Sequence, residues 1–203
     1  MSKYLMSFML GGLYYSESLL LLELHHQTKN WDDVYSIALE KNTLQNRVLS
    51  TAKRVLKEII NRLKTLTDKE LVLLENGSSS EQKYLLWLSI CRRYAFIHDF
   101  AVEVIRERYL TLKYDLPIEE YESFYNAKEQ WHEELEKITD GSRYKQRTVV
   151  YKMLREADII DSNQLILPAI LSDDLITVIS EHNPDDLMIF PISDIDLKRQ
   201  YNE

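Results

Sequence analysis

Arg143–Arg155, "RYKQRTVVYKMLR", is the stretch on which the fold assignment turns. It carries five cations and no acid, in a chain whose formal net charge is −8. Val150, Met153, Leu154 and Ala157 fall on one side of a helical wheel, and Lys145, Lys152 and Arg155 fall on the other. Tyr151 sits at the margin of the charged side, and Arg143 and Arg147 lie nearer the apolar side in the first turns. The spacing predicts an amphipathic helix over 142–157, with Ser142 of the turn "TDGS" as its N-cap.

The flanks give this helix a context. Asp115, Leu116 and Pro117 mark a break, because the residue before proline is pushed out of helical geometry. Residues 118–130 then read as helix and 133–138 as a short helix. After the basic segment, "DIIDSNQLILP" has two short β-branched runs around Asp161, Ser162 and Asn163, which predict a small hairpin over 158–168. A further helix is expected from Ser172 to His182. Helix, short helix, turn, basic helix, hairpin is the order of a winged helix-turn-helix, in which the helix before the wing often lies in the DNA major groove. Many small α+β domains share that order.

The first half reads as helices throughout. Asn30 can cap "WDDVYSIALEKN", and a longer helix is predicted over 44–66, with Val48, Ala52, Val55, Ile59, Leu63 and Leu66 on one face. Thr67 with Glu70, and Ser78 with Glu81, have the spacing of capping boxes, and Gly77 can stop the helix between them. Another amphipathic helix is expected from Phe96 to Leu112. Only four Gly and four Pro occur in 203 residues, few for the turns of an all-β protein. The one cysteine, Cys91, excludes an internal disulfide or a multi-cysteine zinc site and suits a reducing cytoplasm.

The charge is uneven. Residues 158–203 hold ten acids and two cations, so residues 1–157 are balanced and an anionic ligand there is not excluded. The most apolar stretch, "SFMLGGLYYSESLLLLEL" at 7–24, is interrupted by Glu17 and Glu23. Each carboxylate would cost roughly 2.5 kcal/mol or more at a bilayer centre. A buried core helix is the expectation, with no membrane involvement and no signal peptide.

A single-sign helix face has no acid at three or four residues to pair with, and phosphate is an obvious counter-charge. The competing accounts are a solvated face or one paired with the acidic tail. A second basic cluster lies on the 44–66 helix: Arg47, Lys53, Arg54, Lys57 and Lys64, with Arg62 in the same run. Arg92 and Arg93 could extend either patch. Enzyme signatures are scarce. Glu23 and His26 make one Glu-x-x-His pair where a di-metal bundle needs two. "WHEEL" at 131–135 lacks the second histidine of a helical zinc motif. No catalytic residue, metal site or cofactor is expected.

Seven phrases in order, "SFMLGGLYYSESLLLLEL", "NWDDV", "KNTLQNR", "LLWLSICRRYAFIHDFAVEVIRERYL", "FYNAKEQWHEEL", "KMLREADII" and "NPDDLMIFPI", resemble the BrxA family of bacteriophage exclusion (BREX) defence systems. The resemblance implies a mostly helical, cytoplasmic, non-enzymatic protein acting beside a methyltransferase, an ATPase and a phosphatase-like partner. It also implies an N-terminal part similar to the NusB-type bundle, a helix-turn-helix-like C-terminal part, and an association with DNA. The combined expectation is a mostly α chain with a helical bundle over 1–115 and a winged-helix-like domain with a small β-hairpin over 116–203. Double-stranded DNA would be held by Arg143, Lys145, Arg147, Tyr151, Lys152 and Arg155, with Arg47, Lys53, Arg54, Lys57 and Lys64 adding phosphate contacts. A protein-interaction adaptor docking through the acidic segment 158–203 is the alternative, and RNA is a weaker expectation than DNA.

Overall fold

A computed structural model describes residues 3–8, 11–193, 195 and 197 of the chain. Its regular structure is helical, and the local chemistry of each helix end explains most of the boundaries. Helix α1 (Tyr15–Thr28) lies between two left-handed residues, Tyr14 and Lys29. Helix α2 (Trp31–Glu40) starts where the Asn30 side chain accepts from the N–H groups of Asp32 and Asp33. Helix α3 (Leu49–Leu63) is shorter than the predicted 44–66. Asn42 and Gln45 both have positive φ, 46° and 50°, so the chain is still turning where the apolar spacing already reads as helix.

Helices α4 (Asp68–Asn76) and α5 (Ser79–Arg93) both open with the capping boxes read from the sequence. Helix α6 (Ala95–Phe100) runs into a π-helical segment, Ala101–Arg106, and then α7 (Glu107–Leu110), so one rod occupies nearly the span expected for a single helix. Helix α8 (Ile118–Glu129) follows Pro117, and α9 (Glu133–Glu136) is one turn long. Helix α10 (Asp140–Glu156) is the basic helix. Its N-cap is Thr139, not Ser142. The Thr139 hydroxyl accepts from the Ser142 N–H at 3.3 Å, which places Ser142 inside the first turn as the donor. Helix α11 (Asp173–His182) is capped by Ser172, and a 3₁₀ segment, Pro184–Ile189, follows it.

The predicted hairpin is much reduced. Among the described residues only two isolated antiparallel bridges form, Ile160 with Ile166 and Asp115 with Leu165. The Asp161 carboxylate accepts from the N–H groups of Asn163 and Leu165, both at 2.8 Å, and closes the turn within too few residues for a ladder to grow.

The core is built on α5, in which every residue from Tyr84 to Cys91 is buried. A helix apolar on all sides must be surrounded, and α3, α4, α6 and α10 pack around it. Phe96, at the start of α6, meets the rings of Tyr4, Phe8, Tyr121, Phe124 and Tyr125 at centroid distances of 5.2–6.0 Å. Residues 3–8 thus lie across the α6–α8 junction as an extended strap. The apolar stretch 7–24 divides into part of this strap and α1, whose Leu21 and Leu22 enter the core. Among the described residues no helix is long and apolar enough to cross a membrane.

Candidate nucleic-acid interface

Helix α10 separates its cations by function. Arg143 and Arg147 are drawn onto α8, where Glu122 accepts from Arg143 at 2.5 Å and from Arg147 through its other oxygen. Arg143 also donates to Asn126 at 2.7 Å, and its guanidinium lies over the Tyr125 ring at 4.0 Å. These two side chains join helices and are only partly exposed. Lys145 and Arg155 are exposed and make no ion pair among the described residues. Lys152 is exposed too, but its ammonium donates to the Gly11 carbonyl at 2.7 Å and lies 3.6 Å from Glu156.

Tyr151 leaves the surface altogether. It is 4% exposed, its hydroxyl reaches the carbonyls of Leu116 and Pro117, and burial raises its phenol well above the ordinary value. The wheel placed it at the margin, but the Leu116–Pro117 segment covers that margin, so it braces the break before α8 and is not available as a surface contact.

On α3 the pattern recurs. Arg47, Lys53, Arg54, Lys57 and Lys64 are all exposed, with no ion pair among the described residues; Arg47 lies just before the helix. Arg62 turns the other way. It is 3% exposed, donates to Glu58 at 2.6 Å and to the Gly12 carbonyl at 2.7 Å, and Tyr94 donates to the same Glu58 oxygen at 2.5 Å. Burial and that hydrogen bond push the Tyr94 phenol up to about 12. With Glu58 occupied in the interior, the outer face of α3 carries no acid.

Arg92 does not extend either patch. It forms a fork with Glu70 at 2.7 Å and meets Asp186 at 2.8 Å, inside an enclosed triad joining α4, α5 and the 3₁₀ segment. Burial disfavours its charge, but the two carboxylates outweigh burial and leave its pKa raised. Arg93 lies partly buried beside the Tyr94 ring. Sequence spacing offered no signal for these pairings, because the acids come from distant elements.

The two basic helices each send a side chain to one backbone dipeptide. Lys152 holds Gly11 and Arg62 holds Gly12, while Glu156 accepts from the Leu13 N–H at 2.6 Å. Gly12 has φ +151°, a conformation that favours glycine, and a Cβ there would push the Glu156 carboxylate from its place 2.6 Å away. Of the "GG" pair in the apolar stretch, Gly12 serves a close approach of backbone to side chains.

Among the described residues no group of three His, Cys, Asp or Glu side chains gathers as a metal site requires. Cys91 is fully buried, and burial holds its thiol well above the usual value, which is unlike a nucleophile.

Comparison with known proteins agrees with this architecture. A crystal structure of an uncharacterized protein from Magnetospirillum magneticum superposes with a TM-score of 0.80 over 94% of this chain and 98% of that one, at 20% identity, which shows a shared fold. The BREX protein BrxA of Escherichia coli O9:H4 (strain HS) is 31% identical over 121 residues, 60% of this chain and 57% of that protein. The BREX protein BrxA of Bacillus cereus (strain H3081.97) is 24% identical over 132 residues, 65% of this chain and 66% of that protein. The aligned regions thus span less than two thirds of either relative. The BrxA family model matches residues 2–183, nearly the whole chain, and the protein belongs to the BrxA family.

Proposed function

We propose that this protein is a non-enzymatic, cytoplasmic DNA-binding component of a BREX phage-defence system, working beside that system's methyltransferase, ATPase and phosphatase-like proteins. The observation that carries the DNA reading is the division of cations on α10. Arg143 and Arg147 are committed to Glu122, whereas Lys145 and Arg155 stand exposed and unpaired among the described residues. Glu156, the acid near the end of α10, lies beside Lys152, and an unpaired ammonium or guanidinium such as Lys145 or Arg155 attracts phosphate and releases condensed counterions. In this reading α8, α9 and α10 are the three helices of a winged-helix-like unit over 116–203, and the bridged loop around Asp161–Asn163 is a rudimentary wing. Residues 1–115 form the NusB-like bundle, with the surface cations of α3 as an auxiliary phosphate-binding face.

Duplex binding of this kind is electrostatic and weak in sequence preference, since no side chain pair for reading bases is evident. The test is a fluorescence-anisotropy titration of duplex DNA at several salt concentrations. Affinity falling steeply with salt, and lost in the Lys145→Glu/Arg155→Glu double variant, supports the reading; absence of binding at low salt sinks it.

A second reading has its own support. Asp173, Asp174 and Asp185 are exposed and form no ion pair among the described residues, so the acidic segment after Asp158 offers a docking face for a basic partner protein. Asp186 and Asp158 are not part of that face, being held by Arg92 and Lys83. The terminal acids Asp194, Asp196 and Glu203 lie outside the described residues. Pull-down of another BREX component that survives Lys145→Glu/Arg155→Glu, together with unchanged DNA binding, favours the adaptor.

A further inference from the structure

The geometry points to a single-stranded nucleic-acid site in the groove between α2 and α3, distinct from the duplex-contacting face of α10. Trp31 and Tyr35 lie one turn apart on α2, and Lys57 and Lys64 lie two turns apart on α3. Together with Ile60 and Asn61 they line a cavity of about 290 Å³. Trp31 and Lys64 are also shared with an adjoining cavity of about 710 Å³, bordered by His25, His26 and Lys29 from the end of α1. An indole and a lysine therefore stand on the wall common to the two cavities.

The indole is held in place before any ligand arrives. The His25 ring stacks on Trp31 with centroids 3.9 Å apart and planes 17° from parallel. Burial and the neighbouring Lys29 hold the His25 imidazole below its ordinary pKa, so at neutral pH it is an uncharged stacking partner. A fixed aromatic platform flanked by unpaired ammonium groups is the arrangement that binds unstacked bases and tracks their phosphates. Lys53 continues the lysine stripe one turn beyond Lys57, and no surface acid interrupts it on α3.

Duplex DNA is a poor occupant, because its base faces are hidden in the stack and cannot reach an indole in a slot. Asp32 lines the smaller cavity, and Asp68 and Glu75 line the larger. A site built only for phosphate would exclude carboxylates. They suit exposed bases, whose exocyclic amino groups donate to them. Single-stranded DNA and RNA share this chemistry.

The test is anisotropy with fluorescein-labelled single-stranded DNA, its RNA counterpart and a duplex of the same sequence, using the full chain at low salt. The expected result is binding of the single strands, weakened about 10-fold or more by Trp31→Ala and by Lys57→Glu/Lys64→Glu, with Trp31→Phe close to wild type and duplex binding unchanged within about 2-fold in Trp31→Ala. The lysine variants guard against a fold defect in Trp31→Ala, since both lysines are exposed. The ratio of DNA to RNA affinity identifies the source of the strand. The proposal is overturned if neither single strand binds, if these variants leave single-strand binding unchanged, or if Trp31→Ala lowers duplex binding in parallel. Failure of Lys145→Glu/Arg155→Glu to affect duplex binding would sink the duplex reading and leave this one standing.

Discussion

Helices α3 and α10 are the two basic helices of the molecule, and each turns some of its arginines inward while leaving its lysines, and Arg54 or Arg155, in water. In α3, Arg62 is buried against Glu58 and the Gly12 carbonyl, while Lys53, Lys57 and Lys64 stand outside. In α10, Arg143 and Arg147 lie against α8, while Lys145 stands free. The difference between the helices is one of depth. The α3 pair is almost fully enclosed, whereas Glu122 on α8 keeps 31% of its side-chain exposure. A guanidinium is planar, weakly hydrated and able to serve several acceptors at once, so it survives burial that would strip an ammonium of its water. Cation count alone therefore overstates a binding surface: the inward arginines are joints, and the outward lysines, with Arg54 and Arg155, are what a ligand can meet.

The comparison breaks most readily at its deepest point. Arg62→Ala should cost about 3–5 kcal/mol in urea unfolding, because it strands the Glu58 carboxylate in the interior. Lys57→Ala on the same helix should stay within about 0.5 kcal/mol of wild type. Equal losses in the two variants would remove the distinction between joint and surface. At the shallower joint, Glu122→Ala should cost about 2 kcal/mol, the loss of charge-assisted hydrogen bonds to two guanidinium groups. It should also tighten duplex binding, since both arginines become free; weaker binding would place Glu122 in the interface itself.

One lysine departs from the pattern and sharpens it. Lys128 reaches Glu103 at 2.6 Å and Asp99 at 3.3 Å, and Asp99 also accepts from the Tyr4 hydroxyl at 2.5 Å. Burial alone would raise the Asp99 carboxyl, but His98, Tyr4 and Lys128 outweigh it and hold its pKa at about 2, against an ordinary 3.8. A carboxylate depressed in the folded state stabilises it above the ordinary pKa, and that contribution is lost as pH falls from about 4 toward about 2. The urea midpoint of wild type should fall across that window, and Asp99→Asn should lack this part of the decline. The smallest effect belongs to the outermost residue. Lys145→Ala should leave stability unchanged and reduce the slope of log affinity against log salt by about 1.

Local chemistry was legible wherever partners are close in sequence. The Thr67–Glu70 and Ser78–Glu81 capping boxes, the Asn30 cap and the buried stripes of α3 and α10 appear where spacing placed them, except Val48, which precedes α3 and is 56% exposed. What spacing could not show is which distant group arrives. Glu122 lies 25 residues before Arg147, and Gly12 lies 50 residues before Arg62. A helical wheel orients a side chain without naming its neighbour, which is why Arg62, Arg92 and Tyr151 look like surface residues in the sequence and lie partly or wholly inside the fold. The groove between α2 and α3 was missed for the same reason. Trp31 and Tyr35 are spaced as an ordinary core stripe, and only the approach of Lys57 and Lys64 from another helix changes their meaning.

The strap that crosses the molecule has a consequence for the order of folding. Tyr4 donates its N–H to Glu134, 130 residues onward, and Leu13 donates to Glu156, 143 residues onward. During synthesis this segment emerges long before its partners exist, so its apolar residues must wait while the bundle assembles. Contacts of such long range close slowly. The earliest-made part of the chain described here is thus set to be among the last to dock, and its docking seals α10 to the rest of the protein.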